Sequence, residues 1–194
     1  RSGDRLAWRP MSDSASRASE PMLERVFSEE EVQRRIDALA DELHGAYQSC
    51  DLVIVVIAEG ARRFADVLVD RLEMRWMLPR VLYVRAQRTR GTSLIEVQVE
   101  HVDPGEFEGR DVLIVDDIAD EGRTLDAVSQ LVQEGDPRSL EVAVLISKHL
   151  RRKVEIPIRF VGFELERGWA VGFGMDLDGK YRELDYIAVV QGSE

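Results

Sequence analysis

Residues Asp111–Leu125 read DVLIVDDIADEGRTL, and this stretch decides the predicted fold. Its apolar, β-branched beginning is typical of a strand that is covered on both faces. The strand ends in two adjacent carboxylates, Asp116 and Asp117, and a short loop then leads through Gly122 to a helix that begins at about Thr124. A buried strand followed by a helix is the repeating unit of an α/β fold with a parallel sheet.

The alternation of strands and helices continues on both sides of this stretch. Apolar runs bounded by turn residues predict further strands over Leu52–Ala58, Arg80–Ala86, Leu94–Val99, Glu141–Ser147, Arg159–Phe163 and Ile187–Val190. Helical spacing of apolar residues predicts one helix from a capping box at Ser28 to about Tyr47, and a second over 64–72. We therefore expect an α/β fold with a doubly wound, mostly parallel sheet flanked by helices, whose ligand lies beyond the carboxyl ends of the strands.

Composition limits the classes of function. A chain of 194 residues with 44% hydrophobic residues suits one globular domain with a real core. The net charge of −11 argues against a nucleic-acid or anionic-membrane partner, because the long-range field repels phosphates. The longest apolar run, Leu52–Ala58, is too short to span a bilayer, and the single cysteine, Cys50, fits a reducing compartment. We expect a soluble, cytoplasmic protein.

The amino-terminal residues differ in composition from the rest. Residues 1–24 are rich in Ser and Arg and have no hydrophobic period, and they lack the apolar centre of a signal peptide. We expect them to lie outside the folded domain, which would span 25–194. They are either unstructured or in part not native; if the residues before Met11 are not native, Met11 is the native start.

The loop after the central strand combines a phosphate site with an excess of acid. A helix that begins at about Thr124 offers unpaired N–H groups and a positive dipole end to an anion. Four carboxylates stand close by, from Asp116, Asp117, Asp120 and Glu121, and they would repel a phosphate at close range. They suit hydroxyl groups and a divalent cation while backbone amides hold the phosphate. A sugar phosphate with a vicinal diol and Mg²⁺ matches this division.

This stretch resembles the signature of type I phosphoribosyltransferases that binds 5-phosphoribosyl-1-pyrophosphate (PRPP). The signature is an apolar strand, two acidic residues and a phosphate loop of the form D-x-G-x-T, here residues 120–124. Residues 161–190 (VGFELERGWAVGFGMDLDGKYRELDYIAVV) resemble the carboxyl-terminal segment of hypoxanthine-guanine phosphoribosyltransferases, and Lys148 fits their spacing. The resemblance covers roughly 28–190 and is greatest to a bacterial subgroup with an Asp-Glu-Gly phosphate loop.

The resemblance implies a fold with a small hood formed by terminal segments, a homodimer or homotetramer, and a Mg²⁺-dependent reaction. In that reaction hypoxanthine or guanine and PRPP give the purine nucleotide and pyrophosphate. Asp116 and Asp117 would face the ribose hydroxyls and a magnesium ion, and Asp176 would bind a second one. Asp120 would accept the purine ring proton, as a general base or an electrostatic partner.

The remaining roles implied by the resemblance concern substrate binding. The 5′-phosphate would be held by the phosphate loop, that is by Glu121, Gly122, Arg123 and Thr124. The purine would be bound by Lys148 at its 6-oxo group, by the ring of Trp169 and by the backbone around Ala170. The pyrophosphate would be bound by the loop at Glu59 and Gly60 and by Arg182.

The chain departs from the family pattern in two loops. The pyrophosphate loop has Glu59 where the family often has a basic residue, and such loops often contain a non-proline cis peptide bond, which we predict at Ala58–Glu59. The flap, Arg85–Ser93, lacks the Ser-Tyr pair common in the family and has Thr89 about where an aromatic stands. Arg88 and Arg90 could be its pyrophosphate-facing cations or plain surface charge, and this short flap bears on the exclusion of water.

Each candidate residue also has an ordinary structural interpretation. Alone, Asp120 is as well explained as a turn or capping residue, Trp169 as part of the core, and Asp176 as part of a turn. The basic run that begins at Lys148 is typical of a solvated surface, and we assign that role to Arg151–Lys153. None of the three histidines has a partner at zinc-ligand spacing.

Two other functions remain open. A diverged, non-catalytic PRPP- or nucleotide-binding regulator of the same fold is favoured by Glu59 and the short flap. A phospho-receiver domain is suggested by VLIVDD, but no Asp ends an apolar strand between Asp117 and Lys148, as that fold would require.

Overall fold

The structure is a computed structural model that describes residues 21–88, 95–98 and 104–193. The helices of this part of the chain are α1 (Glu29–Tyr47), α2 (Arg62–Glu73) and α3 (Arg123–Gln133). The strands are β1 (Leu23–Phe27), β2 (Leu52–Ala58), β3 (Arg80–Arg88), β4 (Ile95–Gln98), β5 (Asp111–Ala119), β6 (Ser139–Ser147), β7 (Phe160–Glu164), β8 (Trp169–Val171) and β9 (Ile187–Val190).

The strands form two sheets. The larger sheet has the order β4-β3-β2-β5-β6-β7. All neighbouring strands in it pair parallel except β4, which lies at the edge and pairs antiparallel with β3. The smaller sheet has the order β1-β9-β8 and joins segments from both ends of the chain, as expected for a hood. The predicted α/β fold with a mostly parallel sheet is therefore confirmed.

Side-chain alternation along the central strands explains why helices cover both faces. In β2, Ile54 and Val56 belong to the core under α1 and α2, whereas Val53 and Val55 belong to the core under α3. All four are fully buried. A strand that buries both faces reads as a continuous apolar run, which is how the sequence identified it.

Local signals fixed some of the element boundaries. The capping box is present, since Ser28 N donates to Glu31 Oε2 at 2.8 Å and Glu31 N donates to Ser28 Oγ at 3.3 Å. β2 and β9 have the predicted bounds. β5 extends to Ala119, so Asp116 and Asp117 lie within the strand and not after it.

The first strand was not predicted. β1 begins at Leu23, ahead of the first predicted element, the helix with its capping box at Ser28, and pairs antiparallel with β9. Its sequence, LERVF, has no clear period, and its partner lies at the other end of the chain, so no local pattern could reveal it. Residues 1–20 lie outside the described residues, and the limits 1–24 and 25–194 stay a prediction. No described helix has the length and apolarity needed to cross a membrane.

Candidate active site

The carboxyl end of β5 and the start of α3 enclose a cavity of about 300 Å³. Seven of the residues proposed from sequence line it: Asp116, Asp120, Glu121, Gly122, Arg123, Thr124 and Trp169. Ile118, Ala119, Leu125 and Arg151 complete the lining. The structure thus brings the residues assigned to the phosphate around one space with one residue assigned to the ribose, Asp116, and one assigned to the purine ring, Trp169. This space lies at the edge of the sheet where a ligand was expected.

The amino terminus of α3 has the geometry of an anion site. Gly122 precedes the helix with a φ of 86°, and a Cβ there would lie 2.5 Å from the carbonyl oxygen of Val154. Only glycine fits both the backbone conformation and the space. The first amides of the helix have no intrahelical acceptor, because the ladder starts with Asp126 N donating to Gly122 O. They are therefore available to a phosphate.

Basic side chains from the segment after β6 offset the acidic residues of this loop. Glu121 pairs with Arg123 at 3.3 Å and with Lys153. Asp120 Oδ1 is buried and lies 3.2 Å from Nε of Arg151. Arg151 and Lys153 are exposed, as expected for a solvated run, and each also pairs with a carboxylate of the phosphate loop. The sequence showed only a run of positive charge.

Asp116 is buried and its neighbour Asp117 is partly buried, and the two form an acidic pair. Asp117 N donates to Asp116 Oδ1 at 3.0 Å, and Ile118 N donates to Asp117 Oδ1 at 2.9 Å. Burial raises the pKa of both carboxyls, and the neighbouring charge of Asp117 raises the pKa of Asp116 further. The guanidinium of Arg182 acts in the opposite direction on the pKa of Asp117. Two carboxylates side by side, one buried and one partly buried, are costly unless a cation joins them.

These two residues fit a magnesium ion that arrives with its substrate. The described part of the chain has no group of three or more His, Cys, Asp or Glu side chains that could hold a metal ion. Mg²⁺ is commonly held by one or two carboxylates together with waters and phosphate oxygens, so the pair suffices. Asp176 differs, because Oδ1 lies 2.7 Å from Nη2 of Arg182 and Oδ2 accepts from Gly179 N at 2.7 Å. It would have to release a partner to bind a metal.

A second cavity, of about 480 Å³, lies at the end of β2 and contains two of the three residues assigned to pyrophosphate. Glu59 and Arg182 line it together, with Arg62 and Arg63 beside them. The predicted cis peptide bond Ala58–Glu59 is present. The Glu59 carboxylate lies 3.5 Å from Nη2 of Arg85, the residue paired with Ala58 in the neighbouring strand.

Gly60, the third pyrophosphate residue, is packed between two other parts of the site. A Cβ at Gly60 would lie 1.9 Å from Oδ2 of Asp117. On its other side, a Cβ at Gly174 would lie 2.5 Å from the Gly60 carbonyl oxygen. The loop therefore has room for a hydrogen only, and it holds the Asp117 carboxylate in place.

The residues assigned to the purine occupy two depths. Trp169 is 49% exposed in the first cavity, so it is not a core residue. Lys148 and Ala170 are buried and line neither cavity, and Lys148 Nζ donates to the carbonyl of Gly168 at 2.7 Å. Burial lowers the pKa of Lys148, while the charge of Asp120 opposes this effect.

Part of the flap falls outside the described residues. This applies to Thr89, Arg90 and the remainder of the loop to residue 94, and to the side chain of Arg88. The predictions about flap length, its aromatic and its cations therefore stay predictions.

Comparisons with known proteins agree with one another. The family model for the phosphoribosyl transferase domain matches residues 22–178. The chain is 32% identical to a hypoxanthine-guanine phosphoribosyltransferase of Bacillus subtilis, over 86% of this chain and 92% of that protein. It is also 32% identical to a hypoxanthine phosphoribosyltransferase of Haemophilus influenzae, over 85% and 93% of the two chains.

Solved structures give the same result. A hypoxanthine-guanine phosphoribosyltransferase of Bacillus anthracis superposes with a TM-score of 0.80 at 26% identity, covering 88% of this chain and 98% of that one. A hypoxanthine phosphoribosyltransferase of Staphylococcus aureus superposes with a TM-score of 0.79 at 30% identity, covering 87% and 91%.

Proposed function

The chain belongs to the phosphoribosyl transferase family, and we propose that it is an enzyme of purine salvage acting on hypoxanthine, guanine or both. With PRPP these bases give the corresponding purine nucleotide and pyrophosphate. One observation carries the proposal beyond family membership. The Asp116 carboxylate, the amino terminus of α3 and the ring of Trp169 surround a single cavity, as a phosphorylated sugar joined to a planar base requires.

The geometry suggests how PRPP lies in this site. The amides at the start of α3, over 121–124, bind the 5′-phosphate. Asp116 and Asp117 accept hydrogen bonds from the ribose hydroxyls, and the pyrophosphate lies toward Gly60 and Arg182. Asp116 and Asp117 would hold magnesium, whose positive charge would lower the repulsion between the carboxylates and the pyrophosphate. We assign it to Asp116 and Asp117 first, and to Asp176 only after its contact with Arg182 opens.

The base lies at the other end of the cavity. Trp169 supports its plane, Lys148 donates to the 6-oxo group, and the backbone at Ala170 contacts its edge. Lys148 then exchanges its bond to Gly168 for one to the base. Asp120 accepts the ring proton as the base attacks. The positive charge that develops on the ribose is stabilised by the surrounding carboxylates, so orientation and electrostatics supply most of the catalysis.

A turnover assay tests this function. Purified protein is incubated with PRPP, Mg²⁺ and one base at a time, from hypoxanthine, guanine, xanthine, adenine and uracil, while pyrophosphate release is followed. We expect turnover with hypoxanthine or guanine. The Asp117→Ala variant, purified in the same way, controls for a contaminating enzyme. Turnover with none of the bases would refute the proposed activity.

One feature of the site favours a second candidate, a non-catalytic PRPP- or nucleotide-binding regulator. Glu59 places a carboxylate at the pyrophosphate end, where the ligand is itself an anion. Calorimetry of PRPP binding together with the turnover assay distinguishes the two candidates. A regulator binds Mg²⁺·PRPP without turning over any base, whereas the enzyme does both.

We further propose that the protein is a cytoplasmic homodimer or homotetramer. Exposed apolar side chains between α2 and β3 support self-association, since Met74, Trp76 and Leu78 are 72%, 94% and 80% exposed. The single cysteine, Cys50, supports a reducing compartment. Light scattering coupled to size-exclusion chromatography tests the oligomeric state, and imaging of a fluorescent fusion tests the cytoplasmic location.

A further inference from the structure

Trp169 makes a contact that stacking alone does not require. Its indole Nε1 donates to the main-chain carbonyl of Asp176 at 2.8 Å, and its own backbone N donates to Ser193 Oγ at 2.8 Å. Backbone and indole are both held, while about half of the residue stays exposed in the first cavity. The orientation of the ring therefore depends on where Asp176 lies.

Asp176 is in turn tied to the other end of the site. Its Oδ1 lies 2.7 Å from Nη2 of Arg182, whose Nη1 donates to the Gly174 carbonyl at 2.8 Å. Gly174 packs directly on the Gly60 carbonyl. An unbroken series of contacts thus runs from the ring in the first cavity to the lining of the second.

We propose that Trp169 is a positioning residue whose indole N–H couples the purine end of the site to the pyrophosphate end. The inference rests on the proposed function and deepens it. A purine stacked on Trp169 restrains the ring and, through the indole N–H, the Asp176 carbonyl. Asp176 and Arg182 are then already ordered when pyrophosphate arrives, so the second ligand loses less conformational entropy on binding. By linkage, each ligand tightens the other by the same factor.

The size of the effect follows from the contact. One net hydrogen bond corresponds to a factor of about 2 to 10 in an equilibrium constant. Phenylalanine keeps an aromatic face but has no N–H donor, so Trp169→Phe should preserve stacking and lose the coupling. The variant therefore tests the positioning role separately from support of the base. A smaller side chain would remove both.

Calorimetry measures the coupling in the full-length protein. The Kd of Mg²⁺·pyrophosphate is determined with and without saturating inosine 5′-monophosphate, and the ratio is the coupling factor. We expect the coupling factor of the unsubstituted protein to be about 2 to 10 times that of Trp169→Phe. A direct contact between the ligands is common to both proteins and cancels. Trp76→Phe is the matched control, because it removes an exposed indole away from both cavities and should leave the factor unchanged.

Fluorescence gives a second readout that keeps the native side chain. In Trp8→Phe/Trp76→Phe, Trp169 is the one remaining tryptophan of the three in the chain. Saturation with Mg²⁺·pyrophosphate alone should change its emission, although no ligand touches the ring. Unchanged emission, or equal coupling factors in Trp169→Phe and the unsubstituted protein, would overturn the coupling. The proposed function would still stand if the turnover assay detects activity with hypoxanthine or guanine. Failure of the unsubstituted protein to bind either ligand would overturn both.

Discussion

Replacement of Gly60 by alanine should damage the site through one steric contact. The new Cβ would lie 1.9 Å from Oδ2 and 2.7 Å from Cγ of Asp117. Gly60 does not adopt a positive φ, so the alanine backbone itself is unstrained and the cost comes from the contact alone. Relief requires the Asp117 carboxylate or the loop to move by about 1 Å, since Cβ contacts are rarely shorter than about 3 Å.

The displacement sets the magnitude. Overpacking of this kind costs about 1–3 kcal/mol in the free energy of unfolding. A shift of about 1 Å in a group that positions substrate costs about 10²-fold in rate. We therefore expect Gly60→Ala to lower kcat/KM for PRPP about 10²-fold and the free energy of unfolding by about 1–3 kcal/mol.

The assay is pyrophosphate release at varied PRPP, with urea unfolding in parallel. Gly45→Ala is the matched control, because no atom lies within 4 Å of its Cβ and alanine favours helix α1. The double variant Gly60→Ala/Asp117→Ala removes the clash and should regain stability but not activity. If Gly60→Ala keeps unsubstituted kcat/KM and stability, the carboxylate is not held against the loop and the reasoning fails.

Four further predictions follow from the site and its surroundings. Asp120→Asn should lower kcat by about 10²–10⁴-fold and leave the calorimetric Kd of PRPP nearly unchanged, because the carboxylate acts on the base; equal kcat would remove it from the mechanism. Arg151→Gln should lower kcat about 2- to 5-fold with little change in Tm, since a half-exposed ion pair contributes little to stability; a large fall in Tm would show a mainly structural role. The pKa of Asp111 is lowered to about 2, chiefly by its bond to Arg138, so its stabilisation is present above about pH 4 and lost as pH falls toward 2. Asp111→Asn should therefore flatten the dependence of the free energy of unfolding on pH between about 4 and 2, measured by urea unfolding. An unaltered dependence would contradict the assignment. EDTA should abolish turnover and added Mg²⁺ should restore it, whereas turnover that persists in EDTA would refute the magnesium assignment.

The predictable part of the fold rests on interactions between residues close in sequence. The capping box at Ser28 and the apolar run of β2 are read directly from spacing, because a helix cap and a doubly buried strand are each specified within a few residues. β1 was missed because its stability comes from pairing with β9 at the far end of the chain. The same applies to the extension of β5 through Asp116, which neighbouring strands stabilise.

The residues of the site also fall into those that the sequence identified and those whose contacts only the folded structure shows. Asp116 and Thr124 were identified from the motif at the end of β5, and Trp169 from the resemblance of the carboxyl-terminal segment to the family; the structure brings all three to one cavity. The pairing of Arg151 was not predicted, because its ion pair with Asp120 joins loops that follow two different strands. Charge composition cannot reveal which opposite charges meet.

By itself, the sequence determined where strands and helices alternate, that acidic residues and a helix start follow a buried strand, and which family pattern they match. Tertiary structure alone decided that Gly60 has no room for a side chain beside Asp117 and that the indole of Trp169 is bonded to Asp176. The physical reason is the separation in sequence between the residues that interact. Periodicity and capping act over a few residues, whereas these contacts exist only once strand order and packing have brought distant loops together.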